Sequence, residues 1–239
     1  MNWEELFDAA RERELSTVRE ALTNDPTRVF SRGPYGVTLL HVAAETDDVA
    51  LATYLLDAGA ELEAEAQWGH TPLEWAANMH SPQVAELLLE YGAQRHGLWT
   101  GSALGMLSVV QDAFDGAALR HGVARSPRPN TVLEGWPENG AFRTGDVVSD
   151  AFYIACRNGQ TDVAEFLLDR GADINAMGYF GGCAAHWAAM NGHRETVEWL
   201  VSRGADLTRV DLEFGGTPAG WAAEGGHEDL AKWLREQGA

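Results

Sequence analysis

Between residues 180 and 207, in FGGCAAHWAAMNGHRETVEWLVSRGADL, apolar residues recur at helical spacing in two short runs, Ala184 to Met190 and Thr196 to Val201. Asn191-Gly192 separates the runs and Gly204 follows the second, which predicts a helix, a turn, a second helix and a glycine stop. The pattern recurs. Glycine-alanine before a polar residue stands at Gly59-Ala60-Glu61, Gly92-Ala93-Gln94, Gly171-Ala172-Asp173 and Gly204-Ala205-Asp206, and Gly238-Ala239 ends the chain. The intervals are 33, 79, 33 and 34 residues. Paired small residues keep the same phase at Ala43-Ala44, Ala76-Ala77, Ala188-Ala189 and Ala222-Ala223. Two markers in one phase define an internal repeat.

The segments VTLLHVAA, HTPLEWAA, CAAHWAA and GTPAGWAA carry the repeat's first helix. They resemble the ankyrin repeat, with its threonine-proline-leucine-histidine start, paired alanines and glycine-alanine-aspartate ending. The resemblance implies an all-α solenoid of about seven helix-turn-helix modules, each with a projecting hairpin finger, in which no module buries its apolar face alone. It covers nearly all of residues 1–239 outside the middle, with N-terminal repeats in 1–95 and C-terminal repeats in 150–239. LFDAARERELSTVREAL fits as an N-terminal capping unit, and Glu228, Asp229 and Lys232 are available to face water in the last one.

The 79-residue interval breaks the period, since two modules need about 66 residues. Within 96–149, residues 98–115 read as a degenerate helix pair with Gly101-Ser102 in place of the alanines, and 116–149 reads as a long inserted loop with no strand anywhere in the chain. The loop's charge is +1 against -20 for the rest, so it is expected to be drawn onto the acidic stack.

Tyr35, Trp68, Phe180 and Phe214 each precede a finger glycine, at Gly36, Gly69, Gly181 and Gly215. The ankyrin pattern has a polar residue there and an aspartate two places earlier, where this chain aligns Gly33, Ala66, Gly178 and Leu212. A bare aromatic at a wet tip forgoes about 1.5 to 3 kcal/mol of burial, so neighbouring tips, the loop or a ligand should cover it. With His70 beside the second tip, these residues form one candidate binding column. The exposed end of the first helix supplies the other: Asn78-Met79, Arg157-Asn158, Met190-Asn191 and Glu224. Trp75, Trp187 and Trp221 recur in fixed helical phase and are expected in the core between helices. The resemblance assigns His41 and His186 to bonding backbone between repeats, and Glu74 takes the histidine place in the third unit.

No metal-ligand spacing and no phosphate-binding glycine loop is present, so no metal and no cofactor is expected. A groove roofed by the loop could still assemble an acid-base pair from Glu74, His80, Asp150, Tyr153 or Arg157. The formal charge of -19 disfavours nucleic acid and anionic membrane, and the absence of a long apolar run or leader predicts a soluble, cytoplasmic protein. Cys156 and Cys183 read as buried thiols. The combined expectation is a recognition scaffold whose aromatic and polar groove takes a protein partner, preferentially a basic one. The second reading is an enzyme or binder that encloses an apolar small molecule between groove and loop.

Overall fold

The computed structural model describes residues 2–66, 69–94, 97–120, 147–178 and 181–238. The chain divides into two compact units, Met1–His96 and Gly97–Ala239. The first holds three helix pairs: α1 (Trp3–Arg11) with α2 (Leu15–Asn24), α3 (Leu39–Thr46) with α4 (Val49–Asp57), and α5 (Pro72–Met79) with α6 (Pro82–Glu90). The second begins with α7 (Gly97–Ala103) and α8 (Leu107–Asp112), which are followed by a small ribbon of β1 (Phe114–Asp115) and β2 (Ala118–Leu119). It continues with α9 (Val147–Arg157) and α10 (Thr161–Leu168), α11 (Ala184–Met190) and α12 (Arg194–Ser202), and α13 (Pro218–Glu224) and α14 (Glu228–Glu236). The architecture is all-α and repetitive.

Several first helices start where a side chain caps them. Thr38, Thr71 and Thr217 accept from the backbone N–H three residues on, and Thr38 and Thr71 are bonded back by His41 and Glu74 in reciprocal capping boxes. The second helices α4, α6, α10 and α12 end on the repeat's glycine-alanine marker. Gly204 takes φ 87°, and the Ala205 N–H then bonds to the Leu200 carbonyl, closing the last turn. The paired alanines are buried at 0% exposure in α3 and α11, so adjacent first helices pack closely along them. Leu39, Leu40, Leu55, Leu73 and Leu88 fill the first unit, while Phe152, Ile154, Leu167, Leu200 and Leu234 fill the second.

Consecutive repeats are also joined by polar contacts about one period apart. His41 Nε2 donates to the His70 carbonyl at 2.9 Å, and His186 Nε2 donates to the Gly216 carbonyl at 3.0 Å, as the repeat resemblance implied. The other ring nitrogen accepts from its N-cap N–H, at 3.2 Å from Thr38 and from Cys183. Burial pushes the His41 imidazole down from 6.5 to about 4 and lowers that of His186. In the interhelix turns, a Cβ on Gly159 would lie 2.7 Å from the His193 ring and one on Gly192 would lie 2.4 Å from His227, so each turn is seated against the next.

Three sequence expectations change here. The chain does contain strands: Phe114 pairs with Leu119 and Asp115 with Ala118 around Gly116, whose φ of 61° suits a two-residue hairpin turn. The segment read as loop from 116 to 149 therefore opens with a hairpin strand and closes in α9, while 121–146 lie outside the described residues. The fourth finger is one residue longer than the others. Gly33, Ala66 and Gly178 donate to the carbonyl four residues on, but Asp211 donates to Gly216, five on. Asp211, not Leu212, thus stands in the aspartate place.

Candidate functional site

Close approach of α11 and α13 sets their matching tryptophans side by side, with Trp187 and Trp221 ring centroids 5.0 Å apart and planes at 79°. Trp221 also meets the His186 ring edge-on at 5.3 Å and donates its indole N–H to Asp211 Oδ2 at 2.8 Å. The Arg157 guanidinium lies over Trp187, 4.1 Å from the ring centroid. Together with Met190, Phe214, Gly216, Gly220 and Glu224, the two indoles line a groove of about 550 Å³. A Cβ at Gly220 would meet only Thr217 Oγ1 at 4.0 Å, so this part of the surface is open.

The finger that forms the groove's other side is organised by Asp211. Its carboxylate accepts from the N–H groups of Glu213 at 2.9 Å, Phe214 at 2.6 Å and Gly216 at 2.7 Å, besides the Trp221 indole. Burial raises its pKa, but the bonds from Phe214, Trp221, Gly216 and Glu213 together outweigh that effect and hold it below the ordinary 3.8. One side chain therefore fixes both the finger backbone and the indole facing it. Phe214, at 70% exposure, projects from that clamp.

Met190, Phe214 and Glu224, expected from the sequence as binding residues, are brought together in this groove. Arg157 reaches it through Trp187, and the Asn191 side-chain amide donates to the Arg157 carbonyl at 2.8 Å, tying the end of α11 to the end of α9. Asn158 is buried and so is not presented as expected. In the first unit Tyr35 is 60% exposed at its tip and Met79 is exposed beside half-buried Asn78. His70 is buried, its ring edge-on to Trp75 of its own module at 5.8 Å and its carbonyl accepting from His41 of the preceding one. Trp68 and Phe180 lie outside the described residues. Trp187 and Trp221, expected as core, pack between helices and also wall the groove, a dual role that helical phase alone does not distinguish.

The acid-base candidates divide between the units. Glu74 is buried and accepts from Thr71 N–H at 2.9 Å as a capping residue, and His80 ends α5 with φ 58°. Asp150, Tyr153 and Arg157 share α9, where the first two are buried. Tyr153 lies beneath the third finger: a Cβ on Gly178 would fall 2.2 Å from its ring. Phe7 stands the same way under Gly33, at 2.9 Å. Both rings occupy the repeat's histidine place, which accounts for the missing aspartate in those two fingers. Among the described residues, no three of His, Cys, Asp or Glu converge on a possible metal position, and no helix is long and apolar enough to cross a membrane.

A family model for ankyrin repeats (three copies) matches residues 6–96 and 152–239. Similar proteins include the serine/threonine-protein kinase VIK of Arabidopsis thaliana, 33% identical over 88 residues, covering 37% of this chain and 20% of that protein. A transient receptor potential cation channel subfamily A member 1 homolog of Caenorhabditis elegans is 27% identical over 165 residues, covering 69% of this chain and 12% of its own length. The mouse RelA-associated inhibitor is 32% identical over 90 residues, covering 37% and 11%. The chain thus spans a fifth or less of the length of these relatives.

Proposed function

The chain belongs to the ankyrin-repeat family, whose stacked helix pairs generally serve as protein-interaction scaffolds, and from that premise we propose that the α11–α13 groove is its partner-binding face. The observation that carries this reading is Phe214. A large apolar ring at 70% exposure is held by the Asp211 clamp over a groove already walled by two indoles, so the binding surface is ordered before the partner arrives. Preformed aromatic anchors of this kind dominate binding energy at protein interfaces. The -19 charge would speed encounter with basic partners, and two buried free thiols suit a cytoplasmic setting.

The groove's volume also falls within the range of sites for small apolar molecules, about 300 to 1,000 Å³, which supports a second reading as a small-molecule binder. Affinity capture from the native host, read for proteins and metabolites together, separates the two. A polypeptide retained by the wild-type chain and lost with Phe214→Ala supports the first reading. Retention of a small molecule alone supports the second, and capture indifferent to Phe214→Ala removes the groove from both.

A further inference from the structure

The groove's lining specifies more than an apolar socket, and the inference that follows rests on its reading as the partner-binding face. Trp187, Met190, Phe214, Trp221 and two glycines make it apolar, and its one ionisable group is the carboxylate of Glu224 on exposed helix surface. An apolar wall closed by a single carboxylate complements a side chain that is apolar along its stem and cationic at its end. The indoles support the same chemistry. They stand at 79° to one another, offering two rings at a corner, and Trp187 already carries the Arg157 guanidinium 4.1 Å from its centroid.

A second cation on that face of Trp187 would be repelled by Arg157, which leaves Trp221, Phe214 and Glu224 as its neighbours. A neutral apolar side chain would fill the walls and make no use of Glu224. An acidic one would be opposed by Glu224 and by the chain's charge of -19. We propose that the groove takes the side chain of a lysine or arginine presented by a basic segment of the partner, with the methylene stem along Met190 and Trp221 and the charged end beside Glu224.

The test is a titration of the full chain followed through the indole N–H signals of its nine tryptophans in two-dimensional NMR. The probes are acetyl-Gly-Gly-Lys-Gly-Gly-amide, its arginine counterpart and the norleucine peptide, in which hydrogen replaces the ammonium. The Trp187 and Trp221 signals should respond to the lysine and arginine peptides at about tenfold lower concentration than to norleucine. Glu224→Gln should abolish that preference, and Phe214→Ala should weaken all three responses. Glu198→Gln, at an exposed carboxylate paired with Arg194 at 2.7 Å, should leave the preference unchanged. Equal responses to the three peptides at these two indoles overturn the cation proposal while leaving the groove as an apolar binding face. No response at either indole, or responses that Phe214→Ala leaves untouched, overturns both.

Discussion

Replacing Asp211 with asparagine should cost far more than its place in a surface finger suggests. The carboxylate is 3% exposed and accepts four hydrogen bonds, from Glu213, Phe214, Gly216 and the Trp221 indole. Asparagine keeps one oxygen and turns an N–H group toward two of those donors, so two charge-assisted bonds are lost and buried donors face a donor. Each such bond is worth about 1.5 to 3 kcal/mol, which after local relaxation gives roughly 3 kcal/mol for the substitution. For a unit of this size that is a fall in melting temperature of about 6 to 12 °C. Asp206→Asn is the matched control, because Asp206 is exposed and accepts from Thr208 alone, at 3.0 and 2.7 Å; it should cost clearly less than Asp211→Asn. Urea unfolding followed by circular dichroism and tryptophan fluorescence measures both. The depressed Asp211 pKa adds a pH signature: its contribution is complete above about pH 5 and is lost as pH falls through the folded value, below 3.8. The Asp211→Asn chain should therefore lose less stability on acidification than the wild type. An Asp211→Asn cost no larger than that of Asp206→Asn would refute the clamp.

Gly178→Ala should destabilise the second unit by about 2 kcal/mol or more, because its Cβ would fall 2.2 Å from the Tyr153 ring, and Tyr153→Leu in the same chain should recover part of the loss; purely additive costs in thermal melts would contradict the ring-under-finger account. The His41 pKa of about 4 against an ordinary 6.5 means that the folded chain binds fewer protons between those values. About 3 kcal/mol of stability is then complete above pH 6.5 and lost as pH falls toward 4, so the His41 ring resonance should stay at its neutral position from pH 8 to 5. His80 adopts φ 58° at the end of α5, where Gly159 and Gly192 stand in the second unit's turns. His80→Gly should therefore raise the urea midpoint by the equivalent of about 1 kcal/mol, and a fall would show that the imidazole's contacts outweigh backbone strain.

The helix pairs were legible in the sequence because three local signals coincide in the best-formed modules, such as α3–α4 and α5–α6: apolar period, N-cap residue and glycine stop. Gly204 and its counterparts mark a real backbone event, a positive φ that lets the next N–H reach back five residues. What escaped was decided between modules. Aligning fingers on their aromatic-glycine pair placed Leu212 opposite Gly178, and only the Asp211–Gly216 backbone bond reveals the extra residue. The glycines at 33 and 178 look like arbitrary losses until Phe7 and Tyr153 are seen beneath them. The Phe114–Leu119 ribbon is too short to show alternation. Within the site, Met190, Phe214 and Glu224 could be picked out because the repeat's phase fixes which positions line a groove. Asn158 and His70 could not be sorted from them, since the same repeat phase marks them as surface positions while the fold buries both.

The central claim is tested most directly by site-specific photo-crosslinking in the native host. Benzoylphenylalanine is introduced at Phe214, and in a separate chain at exposed Glu198 on α12. The account predicts a discrete polypeptide adduct from position 214 that Asp211→Asn diminishes, with none from position 198. Adducts from 198 in place of 214, or equal adducts from both, would contradict it.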